Sequence, residues 1–75
     1  MSRAPEINAD RLCDAATNCL RAHHEAKTLT GKCITPMELW DTDIGERFYR
    51  GYLKFEIQEA ERFLVRLGMI GRGEA

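Results

Sequence analysis

No stretch of this 75-residue sequence approaches 18 consecutive apolar residues, so a membrane-spanning helix is not expected. The opening residues Met-Ser-Arg-Ala-Pro-Glu hold no signal-peptide core, which leads to the expectation of a soluble, cytoplasmic protein. Charge of one sign is lacking too. Eleven Lys and Arg against 12 Asp and Glu leave a formal charge of −1, which gives no overall attraction to nucleic acid or to an anionic membrane. No segment alternates β-branched and polar residues between turns, so no sheet is expected. Repeats and low-complexity segments are absent, and the expectation is a single domain over 1–75 with tails at 1–6 and 71–75.

Chemical motifs are equally sparse. Cys13, Cys19 and Cys33 make an odd number without a secretory signal, which argues for reduced thiols over a disulfide framework. Cys19 and His23 are four apart on one helical face, and His24 and Cys33 could approach them. A lone C-x3-H still needs two distant partners, so neither metal nor cofactor is expected. Gly68-Met69-Ile70-Gly71-Arg72-Gly73 follows a helix, whereas a phosphate-binding loop opens one. No acid, oxyanion loop or cleft-forming sheet accompanies the cysteines and histidines, and no enzyme is expected.

What the sequence does hold is helix. Asn8 can cap a helix over about 9–28, with Ile7 and Leu12 as a hydrophobic staple. Leu12, Ala15, Ala16, Cys19, His23 and Ala26 share one face built mostly of small side chains, and Gly31 stands where a left-handed residue closes a helix. Thr35-Pro36-Met37-Glu38 reads as a capping box with Pro at the first helical position, starting a short helix over about 36–41. Asp43 restarts the chain with Glu46 at the third position. Gly68, with Met69 folding back on Leu64, closes the last helix, whose Arg62 and Arg66 suit its negative end.

The periodicity predicts one helix over 44–67. Leu53, Ile57, Ala60, Leu64 and Leu67 form a stripe with Tyr49 at its edge, while Ile44, Phe48 and Phe55 lie on the opposite side, with Tyr52 and Phe63 between. Gly45 and Gly51 weaken this helix by about 1 kcal/mol each relative to Ala and predict a bend or the close approach of another backbone. Such a helix is about 36 Å long, against roughly 29 Å for a compact globule of this size. The expected fold is all-α: an antiparallel hairpin of about 9–28 and 44–67 with the short helix inserted, and dimerisation is a way to complete its core.

Two apolar faces exceed what one short chain covers. Full burial of each large side chain is worth about 1.5 to 3 kcal/mol, so the aromatic face is expected to dock on a protein partner or on a symmetry mate, unless residues 29–43 cover it. Its centre is Phe48, Tyr52 and Phe55, with Trp40 nearby and Arg47 and Arg50 at the rim, residue types enriched at binding centres. The expected role is stoichiometric: an inhibitor or adaptor of a larger assembly, of the kind phages and mobile elements encode.

Thr35-Pro36-Met37-Glu38-Leu39-Trp40, followed by a helix ending Leu64-Val65-Arg66-Leu67-Gly68-Met69-Ile70-Gly71-Arg72, resembles the second half of a winged helix-turn-helix regulator. The resemblance covers about 35 residues and implies DNA binding through the long helix, with Arg47, Arg50 and Lys54 as a basic edge. Glu56, Glu59 and Glu61 depart from it, because they repel phosphate, and no wing-forming segment follows within these residues.

Overall fold

The structure, a computed structural model, describes residues 7–71. Of the expected tails at 1–6 and 71–75, all but Gly71 lie outside the described residues, and with them Arg72 of the C-terminal motif. The chain is all-α: α1 spans Ala9–Thr30, a short 3₁₀ helix Met37–Leu39, α2 Asp43–Phe48 and α3 Lys54–Arg66, with no strand among the described residues.

Asn8 starts α1 as its spacing predicts. The residue is extended, and its side chain accepts the Arg11 N–H at 2.8 Å, satisfying a donor that the first helical turn leaves unpaired. Gly31 closes the helix in the left-handed conformation at φ 77°, its N–H reaching Lys27 O at 2.8 Å. The buried face is Ala15, Ala16, Cys19, Ala22 and Ala26. With nothing larger than a thiol on it, this stripe lets α3 come close and bury Ile57, Ala60 and Leu64 against it.

The expected single helix over 44–67 is two helices. Between α2 and α3 the chain turns at Tyr49–Leu53, with Gly51 at φ 88°, a left-handed backbone that a Cβ would penalise. Tyr49 closes α2 through its N–H to Gly45 O at 2.7 Å, and Tyr52 N–H meets Tyr49 O at 3.0 Å. Leu53 is extended, and the Glu56 carboxylate reaches back to its N–H at 2.8 Å to start α3. The predicted stripe survives only in its middle: Ile57, Ala60 and Leu64 are buried, whereas Leu53 and Leu67 are 61% and 56% exposed. Periodicity describes which side chains would share a face of a continuous helix, and it carries no information on a joint whose bonds come from α1.

The antiparallel arrangement is corrected as well. Such a hairpin sets the first turn of α3 beside the last turn of α1, yet Arg11, in the first turn of α1, grips Glu56 in the first turn of α3. The return journey along α1 is made by the intervening chain. Cys33 lies beside Lys27, the Ile34 carbonyl meets His23, Arg47 meets Glu25, Tyr52 meets Asn18 and Gly51 meets Arg11. Once residues 33–52 have run back to the start of α1, α3 begins there.

The connection is held by local bonds. Glu38 Oε1 accepts from the N–H and hydroxyl of Thr35 at 3.0 and 2.9 Å, the reciprocal half of the predicted capping box. Pro36 is fully buried, and its carbonyl accepts the Tyr49 hydroxyl at 3.0 Å. Thr42, one residue before the predicted Asp43, caps α2 by accepting the Gly45 N–H at 3.2 Å. Gly45 is where backbones meet: a Cβ there would run into the Leu39 carbonyl. After α3, Gly68 takes φ 76° and Met69 N–H bonds Leu64 O at 3.0 Å, the closure expected of a Schellman end. Ile70, not assigned to the core from sequence, is buried there. The whole measures 44 × 24 × 19 Å, longer than a sphere of its mass because α1 alone is about 33 Å.

Candidate functional site

Breaking the helix divides the predicted aromatic face into three environments. Phe48 and Tyr52 are half-buried and pack on the core. Arg47 lies over the Phe48 ring, its Cζ 5.4 Å from the centroid, and pairs with Glu25 of α1 at 3.4 Å. Tyr52 is covered from the other end of α1: the Arg11 guanidinium lies 4.5 Å from its ring centroid, and Asn18 Nδ2 donates to its hydroxyl at 3.2 Å. Part of the face thus docks on α1, an element that the sequence paired with the opposite stripe.

Trp40 and Arg50 belong to a second place. Trp40 stacks with the buried Tyr49, centroids 6.1 Å apart and planes at 18°. Both line a groove of about 470 Å3 whose walls also hold Asp41, Asp43, Glu46 and Arg50. Phe55 occupies the third environment. At the second position of α3 it is half-buried, and it is not among the described side chains that pack on the core. Leu53, two residues before it, is among the most exposed large apolar side chains, with Leu29, Leu67 and Met69.

The joint between α2 and α3 carries the densest polar network, and its main residue was not singled out from the sequence. Arg11 Nε and Nη2 donate to both Glu56 oxygens at 2.7 and 2.9 Å, and Nη2 also donates to Gly51 O at 2.6 Å. This planar fork on a carboxylate is the geometry that only arginine offers. The bond from Arg11 and the Leu53 N–H hold the Glu56 carboxyl below its usual range against the opposing effect of desolvation, and Glu56 in turn raises the Arg11 guanidinium. Glu56 had a local signal, an acid three residues after the residue that precedes a helix, here Leu53. Arg11 had none, since its partners are 40 and 45 positions away.

The cysteines and histidines do not converge. Cys19 is buried, and burial, followed by the charge of Glu61, pushes its thiol up to about 12. The same burial raises the Tyr49 hydroxyl beside it. Cys13 and Cys33 are exposed, and His23 uses Nδ1 to donate to the Ile34 carbonyl at 2.7 Å. Among the described residues no group of three His, Cys, Asp or Glu side chains is placed to hold a metal ion, and no helix is long and apolar enough to cross a membrane. Fold and surface together define a small all-α protein with apolar side chains left at the start of α3. Comparisons with protein-family models, with curated proteins and with solved structures give no match.

Proposed function

We propose that this chain is a protein-interaction module that acts stoichiometrically, without catalysis, by docking the start of α3 on a protein partner or on a second copy of itself. The supporting observation is Phe55, half-buried but outside the core, beside the exposed Leu53. A large aromatic at the rim of a small domain loses much of its burial free energy to solvent, and a partner recovers it. Inhibition or bridging of a larger assembly, as small phage-type proteins perform, is the role that fits a module with a docking surface and no reactive cluster. Trp40 and Arg50 lie apart from this centre, and Arg47, Phe48 and Tyr52 serve mainly to seat α2 and the joint on α1.

The DNA-binding alternative draws no support from the arrangement of charge. Arg47 is paired with Glu25, Arg50 shares its groove with Asp41, Asp43 and Glu46, and the helix that the resemblance assigns to recognition is interrupted.

Light scattering with size-exclusion chromatography on the wild type and on Phe55→Glu tests the docking centre. The expected result is concentration-dependent association of the wild type, lost in the variant, with stability changed by less than about 0.5 kcal/mol, as for a surface position. Loss of more than about 2 kcal/mol of stability with no change in mass would place Phe55 in the core and remove the reading.

A further inference from the structure

The joint at Tyr49–Leu53 is non-helical in a segment whose side chains are spaced for a helix. Five residues separate α2 from α3, none is proline, and two of them are held away from a helix, Gly51 in the left-handed conformation and Leu53 extended. Were they helical, residues 43–66 would form one rod of about 36 Å, and Leu53, now exposed, would line up with Ile57, Ala60 and Leu64. That rod cannot fold back on its own α1. Residues 33–52 already run from the end of α1 to its start, so a straight continuation carries α3 beyond the start of α1 and away from the small-residue stripe it covers.

We propose that two copies of this chain exchange α3: the joint straightens, and the Ile57, Ala60 and Leu64 face of each copy packs on the Ala15, Cys19, Ala22 and Ala26 stripe of the other. The interface between α1 and α3 is the same in both forms, so the exchange turns on the joint. The closed monomer keeps four contacts that the exchange gives up: Arg11 on Gly51 O, Arg11 and Asn18 on Tyr52, and the Glu56 carboxylate on the Leu53 N–H. The exchanged pair adds helical hydrogen bonds and covers Leu53, against the cost of holding Gly51 in a helix. The Arg11–Glu56 fork persists, formed between chains instead of within one. The inference goes beyond docking through Phe55 and stands without it.

Charge reversal distinguishes the two forms. Arg11→Glu and Glu56→Arg each place like charges at the fork in a closed monomer, and in an exchanged homodimer as well. An exchanged heterodimer of the two variants restores opposite charges at both interfaces. The variants are unfolded and refolded separately and as an equimolar mixture, then read by native mass spectrometry. The expected result is heterodimer at least tenfold over either homodimer; a mixture that equals the sum of the separate variants would overturn the proposal. Gly51→Ala provides a measurement that does not depend on those variants folding. A Cβ at 51 meets nothing within 4 Å, so its cost is the left-handed backbone alone, a cost absent from the straight helix. The dimer fraction by light scattering rises at least tenfold, on the Phe55→Glu background as on the wild type, whereas an unchanged monomer with unchanged helix content contradicts the exchange. Phe55→Glu removes the side chain on which docking rests and leaves the joint untouched, so failure of the exchange and failure of the docking reading are seen separately.

Discussion

Arg11 is the residue on which the joint depends, because one guanidinium satisfies a carboxylate, a backbone carbonyl and the face of an aromatic ring. Its partner Glu56 also accepts the Leu53 N–H, so one carboxylate both caps α3 and ties it to α1. The fork predicts an acid dependence with a definite sign. The Glu56 pKa lies below the ordinary carboxylate value in the folded chain, so folding favours the ionised form. Its contribution is fully present above the unfolded value, about 4.3, and is lost as pH falls through the lower folded value. Glu38, lowered by the Thr35 N–H and hydroxyl, acts in the same direction. Denaturation midpoints measured from pH 7 down to pH 3 are expected to fall below about pH 4.3 in the wild type. Glu56→Gln, which keeps the cap but not the charge, is expected to be less stable at pH 7 and to have a flatter profile. A parallel profile would show that the pair contributes nothing to pH-dependent stability.

At the scale of elements, legibility followed the range of the interactions. The start and end of α1, the Thr35–Glu38 box and the Gly68 closure are local chemistry, with partners within five residues, and the sequence displays them. Gly45 and Gly51 were flagged together as a bend or a close approach, and the structure uses one for each: Gly51 turns the chain, and Gly45 lets α2 touch Leu39. Continuity across 49–53 was misread because a helical period remains in phase through a joint that α1 enforces from outside. The same error misassigned Leu53 to the seam and set Tyr52 and Phe55 on one face, when Tyr52 packs under Arg11 and Phe55 does not. Ile70 stood past the last helical residue, where no period reaches. The contact at Gly45 gives a direct test, since backbone cannot yield as a flexible side chain does. Gly45→Ala is expected to cost about 3 kcal/mol, the upper part of the range for overpacking, by urea denaturation. A stability equal to that of the wild type would mean that α2 and the 3₁₀ helix are not in contact at this point.

For the whole molecule, the interrupted helix decides which apolar side chains the chain keeps for itself. A continuous rod presents two apolar faces along its length. The jointed form places α2 and the joint on α1, buries the middle of the α3 stripe and leaves Leu53 exposed and Phe55 half-buried outside the core. Small size makes this choice consequential: a chain of 75 residues has a modest core, and a few large side chains are a sizeable share of its stability. Backbone NMR of the labelled protein at a concentration where it is monomeric tests the joint most directly. The account predicts helical Cα secondary shifts over 43–48 and 54–66, interrupted at 49–53, with a positive φ at Gly51 and cross-peaks from Arg11 to Tyr52. An unbroken helical run from 43 to 66 in the monomer, without those cross-peaks, would contradict it.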